Sequence, residues 1–196
     1  MRRQLMPALM MTIVLTVLTG LAYPLVVTGV AQGLFHSRAN GSLVKVNGKV
    51  VGSSLLGQDF TSTKYFQPRP SATAGTPYNG LASGASNLGP SNPDLLKTIE
   101  ARAIAYRKRN GMAANASVPV DAVTASASGL DPDISPANAR LQAPRVASVR
   151  RLSLATVLAA VGRHTESRPW GFLGEKIVNV LELNLDLDRV SAAANS

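Results

Sequence analysis

The sequence predicts an α+β protein in which a single N-terminal transmembrane helix is followed by one mixed soluble domain with a small sheet and several helices. Three observations predict it. The stretch from Leu5 to Ala31 carries no charged residue. An Asn47-Gly48 pair flanked by valines marks a β-hairpin. Capping residues at Ser91 or Asn92, at Ser135 and at Ser153 each stand before a helical pattern.

The apolar stretch is long enough for a bilayer. A hydrocarbon core of roughly 30 Å needs about 20 helical residues, and residues 5–31 supply them. Arg2 and Arg3 before an apolar run, with Gly20-Leu21-Ala22 inside it, also fit a cleaved secretory signal. Apolar character continues well past Ala22, so length favours a retained anchor. The basic flank at Arg2 and Arg3 sets the expected orientation: residues 1–4 cytoplasmic, 5–31 in the membrane, 32–196 extracytoplasmic. Thr12, Thr16 and Gly20 recur at four-residue spacing and put small and hydroxyl groups on one face, as closely packed membrane helices do. The rival reading is threonines bonding back to their own helix.

Residues 32–196 form the soluble part. Val44, Val46, Val50 and Val51 flank Asn47-Gly48, which supplies the two positive-φ positions of a type I′ turn. Residues 57–93 are rich in Gly, Pro, Ser and Asn and predict a long packed loop, a common place for binding surfaces. Pro93 opens a helix with an apolar stripe of Leu95, Ile99, Ala103 and Tyr106, stopped by Asn110-Gly111. The Ser135 cap and Pro136 start another, expected to run to about Ala143, where Pro144 breaks or kinks it. Ser153 caps a helix over Leu154–Val161. Residues 179–188 alternate apolar and polar, and so predict a strand.

Composition removes whole classes of chemistry. The chain has no cysteine, which excludes disulfides, thiolate metal sites and a cysteine nucleophile. The two histidines, His36 and His164, lack ligand spacing, and neither a phosphate-binding loop nor a nucleophile elbow occurs. His164, in a polar Gly-Arg-His-Thr-Glu run, reads as a helix-end residue. The net charge of +9 invites a nucleic-acid reading. Arg102, Arg107, Lys108 and Arg109, however, crowd the end of one helix, where the helix dipole favours cations. No nucleic-acid partner is expected.

Two clusters keep alternatives open. Asp131 and Asp133 are a carboxylate pair or metal contact on one reading, and turn and helix-dipole residues on the other. Gln142, Arg145, Arg150 and Arg151 either hold a phosphate or carboxylate or pair with loop carbonyls.

Several motifs occur in order along the chain. They are Asn40-Gly-Ser-Leu43, Gly52-Ser-Ser-Leu-Leu-Gly-Gln-Asp-Phe60, Tyr65-Phe-Gln-Pro-Arg-Pro-Ser-Ala72, Ala82-Ser-Gly-Ala-Ser-Asn-Leu88 and Ser91-Asn-Pro-Asp-Leu95. Val118-Pro-Val-Asp-Ala-Val-Thr-Ala-Ser-Ala-Ser-Gly-Leu-Asp131, Ile134-Ser-Pro136, Arg145-Val-Ala147 and Val178-Asn-Val-Leu-Glu-Leu-Asn-Leu185 follow. Together they resemble the C-subunit family of the Kdp potassium-transporting ATPases, over nearly the whole chain after the anchor.

The resemblance implies a non-catalytic accessory subunit of a high-affinity, ATP-driven potassium uptake pump in the bacterial inner membrane. Its implied partners are a channel-like, potassium-binding A subunit, a B subunit that hydrolyses ATP, and a small F subunit. The chain has no Asp-Lys-Thr-Gly phosphorylation motif, in keeping with that division. The family is described both as assisting assembly and as a catalytic chaperone that raises ATP affinity. No cofactor is expected to be tightly bound, and ATP only transiently, in complex with the ATPase subunit. The family's glutamine contact to nucleotide maps onto Gln142, with Gln58 in Leu55-Leu-Gly-Gln58 a weaker candidate. Arg69 is expected to be a partner contact or an internal clamp, and Thr12, Thr16 and Gly20 a partner-facing stripe. No catalytic or metal residue is expected. An extracytoplasmic soluble domain favours assembly over direct contact with cytoplasmic ATP. The alternative is a membrane-anchored envelope binding protein or hydrolase.

Overall fold

The computed structural model describes residues 2–194 and divides into two compact units, Met1–Leu43 and Val44–Ser196. In the first, α1 (Arg2–Val17), a π-helical turn (Leu18–Ala22) and α2 (Tyr23–Leu34) run on without a break. Arg3–Leu34 is thus one apolar helix of 32 residues, with no residue buried in its most apolar 18-residue window. At about 1.5 Å per residue it is about 48 Å long, more than a bilayer core requires. The π turn has a local cause. Pro24 has no N–H and its ring crowds the Gly20 carbonyl four residues back, so the preceding turn widens. The Tyr23 N–H accordingly bonds Leu18 O, five residues back. A short helix, α3 (His36–Ala39), follows.

The soluble unit begins at the hairpin. β1 (Leu43–Val46) and β2 (Lys49–Ser53) meet across Asn47 and Gly48, whose φ values of 50° and 78° are the pair a type I′ turn demands. After the long loop comes α4 (Pro93–Arg109), with Asn92 as its cap: the Asn92 Oδ1 accepts from the N–H of Asp94 at 2.8 Å. Then follow β3 (Asp133–Ile134), α5 (Pro136–Arg150), α6 (Leu154–Arg163), β4 (Thr165–Glu166), β5 (Ile177–Asn179) and α7 (Val180–Ala194). The sheet order is β3-β5-β4, antiparallel throughout, with Ile134 and Thr165 both opposite Val178.

Two expectations are corrected. The strand expected at 179–188 is instead the first half of α7, and only Ile177–Asn179 is extended. Its apolar residues also satisfy a helical period, with Val180, Leu183 and Leu187 buried on one face. Asn179 settles the choice locally, because its Oδ1 accepts the Glu182 N–H and caps the helix. The helix expected to stop near Ala143 runs on through Pro144 to Arg150. An interior proline costs about 3 kcal/mol. Buried Ala143 just before it and buried Val146 and Ala147 just after it repay that cost by packing. The helix ends only where Arg151 turns left-handed, at φ 58°, and the Leu152 N–H reaches Ala147 O.

The core joins β3, β5, α5, α6 and α7 through Ile134, Val146, Val157, Val178, Val180, Leu183 and Leu187. One core residue comes from the long loop. Phe66 is 0% exposed, and burying a phenylalanine stabilises by roughly 1.5–3 kcal/mol. This single anchor draws residues 63–69 against α5 and α7.

Candidate functional site

Drawing a loop into a core without a strand partner leaves its backbone polar groups needing bonds. Here side chains supply them. Asn138, Gln142 and Arg145 are spaced four and three residues apart, so they line one face of α5. The Gln142 Oε1 accepts from the Gln67 N–H at 2.8 Å, and its Nε2 donates to Gln67 O at 3.0 Å. Asn184 of α7 does the same for Phe66, at 2.8 and 3.0 Å. Arg145 donates to the carbonyls of Thr63 and Tyr65, and Arg150 to that of Lys64 at 2.7 Å. Five successive carbonyls, 63 to 67, are therefore received by four side chains. Together these side chains replace a neighbouring strand.

The supporting row is itself braced. Gln142 Nε2 donates to Asn138 Oδ1 at 2.9 Å, and Arg145 Nη2 donates to Gln142 Oε1 at 2.9 Å. Asp121 accepts from the Ser135 N–H at 2.7 Å and from Asn138 Nδ2 at 3.0 Å, tying the start of α5 to the turn at Val120–Ala122. Burial, reinforced by Arg109, lowers the Arg145 guanidinium to about 10, so it stays charged at neutral pH. Arg150 is also pinned to Asp188 at 2.9 Å and lies over the Tyr65 ring.

Beyond Gln67 the loop turns on Arg69. Its Nη1 pairs with Asp131 Oδ2 at 2.8 Å, and the Tyr78 hydroxyl donates to its carbonyl. Gly57 donates its N–H to Leu130 O at 2.7 Å, and a Cβ on it would lie 2.6 Å from Asp131 O, so only glycine fits this close approach. Between loop and α4 lies a cavity of about 280 Å³ lined by Gln67, Arg69, Tyr78, Arg102, Tyr106 and Arg109 among others. Burial, then Asp59 and Asp131, raises the Tyr78 phenol well above its ordinary value; burial and Asp121 do so for Tyr106. Both therefore stay neutral and act as hydrogen-bonding groups. Arg102 donates to Val123 O and Arg109 to Gln67 Oε1. The recess offers fixed donors and positive charge, suited to recognition of an anionic or carbonyl-rich surface. Among the described residues no group of three or more His, Asp or Glu is placed to hold a metal ion.

The residues singled out in the sequence fall in different places. Gln142 sits on the floor of the recess, 1% exposed, with its amide engaged by Gln67, Asn138 and Arg145. Gln58 lies over Gly52 of β2, so close that no Cβ could stand there. Arg69 bonds within the chain, to Asp131 and to the Ala125 carbonyl. Asp131 is thus an ion-pair partner as well as a turn residue, its Oδ1 accepting the Asp133 N–H at 3.0 Å. Asp133 accepts from Asn179 Nδ2 at 3.2 Å. Arg145 and Arg150 bond to loop carbonyls, the structural reading of that cluster. His164 does end α6, and pairs with Asp186 at 3.2 Å. On the apolar helix, the Thr12 hydroxyl bonds back to Ala8 O at 2.9 Å, while Thr16 and Gly20 lie exposed on the same stripe. Sequence reasoning passed over Asn138, Tyr78 and Asn184. Asn184 escaped notice because the strand reading of residues 179–188 puts it on the polar face, whereas in α7 it is buried.

Comparison with known proteins assigns the family. Residues 5–189 match the family described as KdpC, the K⁺-transporting ATPase c chain. The chain belongs to the KdpC family. It is 56% identical to the potassium-transporting ATPase KdpC subunit of Mycobacterium tuberculosis over 190 residues, 97% of this chain and 100% of that one. It is 56% identical to the subunit of that name in Variovorax paradoxus, over 98% of this chain and 100% of the other. The Sorangium cellulosum subunit is 56% identical over 96% and 98%. Both the apolar helix and the scaffolded loop fall within the stretch shared with the family.

Proposed function

We propose that the chain is the non-catalytic accessory subunit of an ATP-driven potassium uptake pump and assists assembly and stability of the complex. The observation that carries the reading is the family match across both units, residues 5–189. The geometry supports it: one helix of membrane-spanning length, and a loop held rigid by buried side chains around a recess of fixed donors. Arg2 and Arg3 on the short flank support an N-terminus inside and a soluble domain outside. The partners on this reading are the channel-like, potassium-binding A subunit, the ATP-hydrolysing B subunit and the small F subunit. Deleting the chain is expected to abolish high-affinity potassium uptake and to loosen co-purification of the A and B subunits. Unchanged uptake with an intact complex would refute the reading.

An effect on ATP affinity is, on this proposal, exerted through assembly. Direct contact through Gln142 requires its amide to release Gln67, Asn138 or Arg145. Nucleotide binding to the purified chain separates the routes: direct contact gives binding that Gln142→Ala abolishes, while Gln58→Ala tests the weaker candidate.

A further inference from the structure

The most exposed aromatic cluster of the soluble unit lies far in sequence from the scaffolded loop, at the turn joining β4 to β5. There Trp170 is 84% exposed and Phe172 70%, with Leu173 also exposed beside them. Aromatic side chains of this size are normally covered. The Gly171 N–H bonds Arg168 O at 2.9 Å, the Leu173 N–H bonds Pro169 O at 3.1 Å, and Arg168 pairs with Glu175 at 2.6 Å across the neck of the turn. Trp170 is held at φ 52°, a left-handed conformation that bulky residues rarely adopt. A strained turn that displays tryptophan, phenylalanine and leucine outward is arranged to put them into something.

We infer that this turn, Arg168–Lys176, docks into the interfacial layer of a lipid bilayer, with Trp170, Phe172 and Leu173 entering the headgroup boundary. Three observations on the chain select lipid as the occupant. Tryptophan and phenylalanine next to cations is the composition of membrane-interface anchors, rings at headgroup depth and long basic side chains reaching to phosphate. Within the turn Arg168 is paired with Glu175, and Lys176 is left as a net positive charge beside the aromatic rings, complementary to anionic headgroups. The chain also carries a helix of membrane-spanning length, and only residues 35–42 separate that helix from the hairpin. A short tether keeps the soluble unit at high local concentration near a bilayer, so a contact too weak alone is populated.

Trp170 is the only tryptophan in the chain, so its fluorescence reads this one site without a label. The experiment uses the full chain reconstituted into vesicles of phosphatidylethanolamine and phosphatidylglycerol, with and without dibrominated acyl chains. Expected are a blue-shifted emission and loss of roughly half the intensity in brominated vesicles, as for a ring seated at the interface. Charge reversal by Arg168→Glu with Lys176→Glu is expected to restore most of the intensity. Water-like emission, insensitive to bromine and open to an aqueous quencher, would overturn the proposal. So would shielding that needs added A and B subunits and shows no bromine quenching, which would make the occupant a protein.

Discussion

The side-chain amide of Gln142 holds both backbone polar groups of Gln67, accepting from its N–H and donating to its carbonyl, 75 residues apart in the chain. Asn184 repeats the arrangement for Phe66 across 118 residues. The two amides let a proline-rich loop behave as a strand without one alongside it. What the loop presents on its outer side is therefore fixed by α5 and α7.

Gln142→Ala tests that arrangement. It strips the Gln67 N–H and carbonyl of their partners in a buried setting, and each orphaned group costs about 1–3 kcal/mol. Urea unfolding of the soluble unit within the full chain is expected to show a loss of about 2–4 kcal/mol. A loss under about 0.5 kcal/mol would mean that water replaces the amide at no cost.

Pro144→Ala is expected to stabilise. Pro144 is exposed and interrupts the bond that an N–H there would give to Arg140 O inside α5. Restoring the donor and removing the ring clash is worth about 1–3 kcal/mol. A fall in thermal midpoint would show instead that the helix geometry around Arg145 depends on the proline.

Asp133 gives a pH signature. Burial first, then the nearby Asp131 charge, raises its carboxyl to about 6, against a partial offset from Asn179. A carboxyl raised on folding binds its proton more readily in the folded state, so its contribution to stability falls as pH rises from about 4 to about 6. Asp133→Asn keeps an acceptor for Asn179 and is expected to raise stability at pH 7.5 with little change at pH 4. Equal effects at both pH values would contradict this origin.

Gly20→Leu probes the apolar helix. A Cβ at Gly20 meets only the Thr16 methyl, at 4.0 Å, so the helix itself accepts the change. If Thr12, Thr16 and Gly20 face another membrane helix, the larger side chain is expected to reduce co-purification of the pump subunits several-fold. Undiminished co-purification would leave the threonines to their bonds within the helix.

What the sequence revealed was local. Asn92, Ser135 and Ser153 each mark a helix start because a cap acts within three residues, and Asn47-Gly48 marks the hairpin for the same reason. The strand expected at 179–188 failed because leucines at 181, 183, 185 and 187 obey period two while Val180, Leu183 and Leu187 also obey the helical period. Only the Asn179 cap and the packing against α6 distinguish them. Pro144 misled because burial on both sides outweighs one missing bond. The pairing of the Gln142, Arg145 and Arg150 cluster with loop carbonyls was open in sequence as one of two readings, but which loop it holds was not, since a glutamine pairing with a backbone 75 residues away has no spacing to read. Arg69 stood out in sequence from its Pro-Arg-Pro setting, as a partner contact or an internal clamp, but its ion pair with Asp131 was not legible.

The placement of the soluble unit is the claim on which the proposed role turns, and one measurement tests it most directly. The chain has no cysteine, so Leu81→Cys, at a side chain fully open to solvent in the long loop, introduces a single reactive thiol. In sealed right-side-out vesicles containing the assembled pump, an impermeant thiol reagent is expected to label it without permeabilisation. Labelling that appears only after the vesicles are opened would place the domain in the cytoplasm and contradict the account.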